Sequence, residues 1–184
     1  MMYHSEKLAL LIDGHELSTL SYSLGFKIDY RKLRMRFASS SRMMATKYYA
    51  AVDPHKLENP YIKLLDWLEY NGYRVHRKNI YVSEEEGGTS KVKVKGSVAV
   101  DISVDLVQLA SQVDHIVLAG GHADYSYPIT QAQRLGARVT LLGSLKAEGF
   151  RPADDLRRIA DDFIELDDLR DEIVIADPLR TAAE

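Results

Sequence analysis

Short apolar runs that end at a carboxylate or a glycine recur along the chain and predict buried strands. The first, Lys7–Asp13, is apolar from Leu8 up to its terminal aspartate, as in a central parallel strand that is buried on both faces. Another, at 116–119, is β-branched and apolar and ends at Gly120-Gly121, a turn that glycine makes with little strain. Further strands are predicted at 45–52, 73–76, 137–142 and 163–166.

Between these runs, apolar residues recur every three or four positions, which is the spacing of amphipathic helices. Such helices are predicted at 29–38, 61–70, 98–112, 128–135 and 154–160. The segments 80–82 and 91–95 predict an edge hairpin joined by a polar, glycine-containing and mobile loop at 83–90. No repeat or linker divides the chain. The alternation predicts a three-layer α/β/α domain with a mainly parallel sheet at 1–170 and a C-terminal tail at 171–184.

Composition narrows the class of protein. The chain has 184 residues, of which 46% are hydrophobic and 28% charged, as in globular proteins. No apolar run approaches the roughly 20 residues of a membrane helix, and the first residues lack a signal-peptide pattern. A cytoplasmic protein without membrane association is therefore expected. The absence of cysteine excludes disulfides and cysteine-ligated metals.

The charge pattern is uneven. The net charge of −3 gives no overall attraction to nucleic acid, but residues 26–47 carry seven Lys or Arg against one acid. This basic segment either holds a polyanion locally or forms a solvated helix face. Lys91, Lys93 and Lys95 alternate along the predicted hairpin, where they either protect an edge strand from aggregation or contact phosphates.

Carboxylates follow two of the predicted strands. In an open parallel sheet, ligands bind outside the carboxyl ends of the strands. Asp13 ends one strand, and His122 and Asp124 follow another just past its glycine turn. They are therefore placed for chemistry, although each aspartate is equally suited to cap the helix that follows it.

Two further aspartates, Asp101 and Asp105, lie in a long and otherwise apolar helical segment. They are four residues apart and share a helix face, where like charges repel. A buried pair of this kind needs a cation or hydrogen bonds to compensate it, which indicates a metal site. Oxygen-rich sites without cysteine suit Mg²⁺ or Mn²⁺, and such ions activate water for phosphodiester hydrolysis.

Several motifs, taken in order, carry a resemblance to a known family. They include Leu-Leu-Ile-Asp-Gly at 10–14, Leu-Asp-Trp-Leu-Glu-Tyr-Asn-Gly-Tyr at 65–73, Asp-His-Ile-Val-Leu at 114–118 and Gly-Ala-Arg-Val-Thr at 136–140. Over about 7–166 the chain resembles the NYN domain, in the LabA-like branch of the PIN-type nuclease superfamily. The resemblance implies a PIN-like fold and, for typical members, metal-dependent ribonuclease activity.

The departures from this family concern its acidic site. Members usually read Ile-Asp-Gly-x-Asn, and here Glu16 stands at the asparagine position. They usually carry an aspartate six residues before the one matching Asp105, and here that residue is Ala99. They usually read Ser-Gly-Asp-x-Asp-Phe, and here His122 replaces the first of those aspartates.

The leading expectation is a metal-dependent ribonuclease that acts on single-stranded RNA. By resemblance, Asp13, Asp105 and Asp124 are catalytic and hold Mg²⁺ or Mn²⁺, and Asp101, Glu16 or His122 assist them. The histidine nitrogen favours Mn²⁺ or another transition ion, unless His122 is only a turn residue bonded to nearby backbone. Contacts with RNA phosphates are expected from Lys93, Lys95, Arg31 and Arg42, and a homodimer is expected as in many proteins of this fold.

Two alternatives remain open, because two of the family's carboxylate positions are lost. One is a catalytically degenerate domain that acts as an RNA-binding or regulatory module. The other is a metalloenzyme with changed chemistry.

Overall fold

A computed structural model describes residues 6–53, 60–84, 92–95, 97–147 and 149–175. Its strands are β1 Lys7–Asp13, β2 Arg42–Val52, β3 Arg74–Asn79, β4 Tyr81–Glu84, β5 Val92–Lys95, β6 His115–Ala119, β7 Arg138–Gly143 and β8 Asp162–Glu165. Its helices are α1 Gly14–Ser23, α2 Tyr30–Ala38, α3 Pro60–Tyr70, α4 Ala99–Leu109, α5 Ser126–Arg134, α6 Asp154–Ile159 and α7 Arg170–Ile173.

Six strands form one sheet in the order β3-β2-β1-β6-β7-β8, and all of its neighbouring pairs are parallel. The predicted α/β class and the parallel sheet are therefore confirmed. The strands β4 and β5 pair separately as the predicted antiparallel hairpin. Most of the loop predicted at 83–90 lies outside the described residues.

The core is divided into two layers by the sheet. Alternate residues of β1 point to opposite faces, so that Leu10 packs in one layer and Leu11 in the other, both fully buried. Helices α1, α2, α3 and α7 cover the first face, and α4, α5 and α6 cover the second. This double covering is why β1 is a continuous apolar run without polar alternation.

The chain beyond the last strand stays attached to the domain. Helix α7 is followed by Val174, which forms an isolated antiparallel bridge with Ile28. The amide of Asp29 also donates to the carbonyl of Ile173 (2.7 Å), so α7 packs beside the start of α2. Among the helices of the described ranges, none is long and apolar enough to cross a membrane.

Helix α1 begins directly at Gly14, with no intervening turn after β1. The reason for glycine is space, because a Cβ at this position would overlap the ring of Tyr48. Tyr48 is fully buried on the neighbouring strand and its hydroxyl donates to the Gly14 carbonyl (3.4 Å). The close approach of α1 to β2 therefore depends on the missing side chain.

We predict that Gly14→Ala lowers the free energy of unfolding by about 1–3 kcal/mol, the usual effect of forcing atoms into a packed core. The better helix propensity of alanine, worth at most about 1 kcal/mol, opposes this loss without cancelling it. Urea unfolding at constant pH would measure the change. Ser23→Ala, at the exposed end of the same helix, is the control and should stay within about 0.5 kcal/mol. Wild-type stability in Gly14→Ala would contradict the packing argument.

Candidate functional site

A cleft opens at the carboxyl edge of the sheet, where the strand order changes direction between β1 and β6. Sheets of this kind bind ligands at such a reversal, because the loops that leave the two strands diverge there. The cleft has a volume of about 510 Å³, which is within the range of small-molecule sites. The residues that characterise its wall are Asp13, Glu16, Tyr61, Ala99, His122 and Tyr125.

Asp13 lies at the floor of this cleft and is only 6% exposed. Its Oδ1 accepts the Glu16 amide (3.1 Å), and its Oδ2 accepts the hydroxyl of buried Tyr125 (3.0 Å). The alternative role as an N-cap is thus realised, since the carboxylate closes the first turn of α1. Asp13 also ties the end of β1 to the segment after β6.

Glu16 reaches across the same reversal. Its Oε2 accepts the amide of Gly121 (2.5 Å), so the first turn of α1 is joined to the turn after β6. Burial raises the pKa of Glu16 above its ordinary value, and the negative charge of Asp13 raises it further. The Gly121 amide and the nearby histidines, His122 and His15, lower the same pKa and limit the shift.

His122 and Asp124 lie on the exposed loop after β6. Residues 123–125 form a single 3₁₀ turn, and its capping side chain is His122, whose Nδ1 accepts the Asp124 amide (3.3 Å). Asp124 is therefore not the cap, and its side chain is 77% exposed. Its Oδ2 lies 3.4 Å from the same imidazole nitrogen.

Asp105 is held by side chains of β2. Its Oδ1 pairs with Lys47 Nζ (2.7 Å), and its Oδ2 accepts the hydroxyl of Tyr49 (2.6 Å). The Lys47 and Asp105 side chains are only 19% and 23% exposed, so this pair is largely shielded from water.

Asp101, one turn earlier, pairs with Lys78 Nζ on β3 (2.6 Å), and His76 Nε2 lies 3.7 Å from the same oxygen. The repulsion between the two helix aspartates is thus compensated by lysines of the sheet. Neither aspartate lines the cleft.

The structure brings only half of the six predicted metal ligands to one place. Asp13, Glu16 and His122 line the cleft, whereas Asp101 and Asp105 face lysines and the Asp124 side chain faces solvent. Ala99, at the position where the resemblance expects an aspartate, lines the cleft with a methyl group. In the parts of the chain that the structure describes, no three Asp, Glu or His side chains are grouped to hold a metal ion. These residues do not fit the Mg²⁺ or Mn²⁺ centre that the family resemblance implies.

The predicted phosphate contacts fall in two places. Arg42 begins β2 and pairs in register with Lys7, at the sheet edge opposite the cleft. Arg31 donates to Asn71 Oδ1 (2.9 Å) just before β3, at the same far edge. Lys93 and Lys95 lie on β5, in the hairpin between Ile80 and Ser97, which both line the cleft.

The sequence matches the NYN domain model over residues 7–167. This chain belongs to the NYN family. NYN domains are PIN-like, so the chain is a member of the PIN-like nuclease superfamily, as the motifs indicated. No curated protein matches it significantly.

A solved structure gives the same fold. A Vibrio parahaemolyticus protein of unknown function superposes with a TM-score of 0.72 at 24% identity, over 95% of this chain and 99% of that one. MurG of Acinetobacter baumannii gives 0.43 at 14% identity, over 87% of this chain and 41% of that one. A putative UDP-N-acetylglucosamine 2-epimerase of Listeria monocytogenes superposes with a TM-score of 0.44 at 9% identity, over 89% of this chain and 40% of that one. The first likeness shows the fold alone, and the other two are too weak to carry an argument.

Sequence reasoning missed the lysines that neutralise α4. Lys47 belongs to the basic segment at 26–47, and Lys78 lies in the short strand β3 without any pattern that marks it. The available signal was the aspartate pair itself, because an apolar helix with two carboxylates requires cations somewhere. The sequence could not distinguish an ammonium group from a metal ion.

We predict that Asp105→Asn lowers the free energy of unfolding by about 2–4 kcal/mol, since it leaves the shielded Lys47 ammonium without its counter-charge. Urea unfolding of Asp105→Asn, Lys47→Met and the double variant would give the coupling free energy between the Asp105 and Lys47 side chains. Asp168→Asn is the control, because Asp168 pairs with Lys146 in an exposed position and should change the unfolding midpoint far less. A coupling near zero would show that the Asp105–Lys47 pair does not hold α4.

We predict that Glu16→Gln stabilises the protein at pH 8, and that the gain shrinks towards pH 5. Because the folded-state pKa of Glu16 is raised above 4.5, the folded protein binds this proton more tightly than the unfolded chain. The ionised carboxyl therefore lowers stability above its folded pKa, and that loss disappears as the pH falls through it. Urea unfolding of both proteins from pH 5 to 8 measures the difference. A gain that increases on acidification would contradict the burial of Glu16.

Proposed function

We propose that this NYN domain binds single-stranded RNA in the carboxyl-edge cleft and does not hydrolyse it through divalent-metal chemistry. The observation that carries the proposal is that the side chains of α4 leave no free carboxylate at the cleft. Its first residue, Ala99, presents a methyl group to the cleft, and the carboxylates of Asp101 and Asp105 are bound by Lys78 and Lys47. The catalytic roles expected for Asp13, Asp105 and Asp124 stay predictions, and this arrangement speaks against them.

Aromatic side chains in the cleft support RNA as the ligand. Tyr61, His15 and His122 line it together with buried Tyr125. Proteins bind single-stranded nucleic acid by stacking unpaired bases on such rings, at about 1–3 kcal/mol per base. Membership of a nuclease superfamily is consistent with a nucleic-acid ligand.

The hairpin supplies the proposed phosphate contacts. Because Ile80 and Ser97 both line the cleft, the β4–β5 hairpin leaves and rejoins the domain at its rim. A strand of RNA that enters the cleft would pass this hairpin, so we propose that Lys93 and Lys95 bind its phosphates. Arg31 and Arg42, at the far edge, would be reached only by a longer RNA that wraps the domain.

The test is binding and cleavage of one fluorescein-labelled, 20-nucleotide single-stranded RNA, followed by anisotropy and by gel. We expect binding that weakens with salt and no cleavage in millimolar Mg²⁺ or Mn²⁺. The double variant Lys93→Gln/Lys95→Gln should reduce the slope of log affinity against log salt by roughly 1.4, about 0.7 for each lost contact with a single strand. The charge-matched control is Lys63→Gln/Arg158→Gln, because both residues are exposed and lie outside the cleft.

Two outcomes would overturn the proposal. Cleavage in Mn²⁺ that Asp13→Asn abolishes would establish the metal-dependent ribonuclease instead, and asparagine is a suitable variant because it preserves the helix cap. Absence of RNA binding at low salt would exclude an RNA-directed function.

The homodimer and the cytoplasmic location expected from the sequence stay predictions.

A further inference from the structure

A second, smaller cavity adjoins the cleft on the other side of Glu16 and His122. It has a volume of about 330 Å³ and lies over the carboxyl ends of β6 and β7. Glu16 and His122 line both cavities and separate them. The wall of the second cavity includes Gly121, Gly143, Pro152 and Arg151.

Close packing holds the loop that carries Arg151. The Ala153 amide donates to the Gly121 carbonyl (3.3 Å). A Cβ on Gly121 would lie 3.1 Å from Pro152 Cα, and one on Gly143 would lie 2.9 Å from Pro152 Cγ. Two glycines at the ends of neighbouring strands therefore let the 149–153 loop sit directly on the sheet edge, which fixes where Arg151 projects.

The two cavities differ in chemistry. The larger has mostly apolar walls with aromatic rings, as a planar base requires. The smaller contains Arg151, which has no hydrogen-bond or ion-pair partner among the described residues and is exposed. A guanidinium without a partner suits a phosphate group. The N-terminus of α1 does not, because the carboxylate of Asp13 already caps it and Glu16 adds a second acidic side chain in its first turn.

Resting on the proposed function, we infer that the paired cavities hold one unstacked nucleotide of the RNA. Its base occupies the aromatic cavity and its phosphate meets Arg151, while Glu16 reads the edge of the base. Glu16 Oε2 is bound to Gly121 and Oε1 has no partner among the described residues, so the carboxylate can accept further hydrogen bonds. Guanine alone offers two adjacent donors, its N1–H and N2–H₂, to a carboxylate. The cleft should therefore prefer guanine.

The test compares two 20-nucleotide RNAs by anisotropy, all-uridine and the same oligomer with one central guanosine. We expect the guanosine oligomer to bind wild type about tenfold more tightly, the discrimination typical of a two-point base contact. Glu16→Gln should remove this preference, because its amide still accepts the Gly121 N–H but places a donor where guanine needs an acceptor. Equal affinity of wild type for both oligomers would overturn the assignment of Glu16, even if RNA binding itself is intact.

The phosphate contact is tested separately with the free ligands guanosine and guanosine 5′-monophosphate, by calorimetric titration. Arg151→Gln should weaken the monophosphate several-fold and leave guanosine unchanged. Arg158→Gln, an exposed arginine on α6 outside both cavities, removes the same charge and should change neither affinity. Equal weakening by both variants would reduce Arg151 to a general charge effect and overturn the second half of the inference.

The two sets of results keep this inference distinct from the proposed function. RNA binding without base preference or Arg151 dependence would leave the function standing and end the inference. If the wild-type protein binds no RNA at all, both the proposed function and this inference are wrong.

Discussion

The hydrogen bonds that join the ends of β1 and β6 are the constraint on which the site depends. Asp13 accepts from the first turn of α1 and from Tyr125, and Glu16 accepts from Gly121. These bonds join the two strands where the order of strands reverses, so they set the width of the cleft. A carboxylate that serves as helix cap and tyrosine acceptor has fewer lone pairs left for another ligand. The same groups that shape the cleft therefore make it a poor metal cage.

The carboxylates of α4 are also bound by groups of the protein itself, in this case by lysine side chains. An apolar helix with Asp101 and Asp105 on one face is stable only if positive charge meets them. Lysines from β2 and β3 supply that charge through direct ion pairs of 2.7 and 2.6 Å. An ammonium group satisfies the electrostatics as well as a metal ion does, but it brings no activated water. The lysine pairs therefore account for both carboxylates of α4 without a bound ion.

Glycines shape the cleft by permitting contact rather than unusual backbone angles. Gly14 admits the Tyr48 ring against the start of α1, and Gly121 and Gly143 admit Pro152 against the ends of β6 and β7. The first contact brings α1 close to β2, and the other two bring the 149–153 loop close to the carboxyl edge of the sheet. The cavities on either side of Glu16 exist because these segments are held there.

The architecture could be predicted from the sequence because its signals are local. Three of these signals are the apolar run of β1, the glycine turn after β6 and the helical spacing between strands. Each depends only on residues that are a few positions apart in the sequence. The family motifs added the identity of the domain, and the sequence alone shows Ala99 and His122 at positions where the resemblance leads one to expect carboxylates. Only the tertiary structure decided where the remaining carboxylates point. Asp105 meets Lys47, and Asp13 meets Tyr125, across distances in sequence that no local pattern spans. Spacing shows that a charge must be compensated, but the compensating group is chosen by which strands and helices pack together.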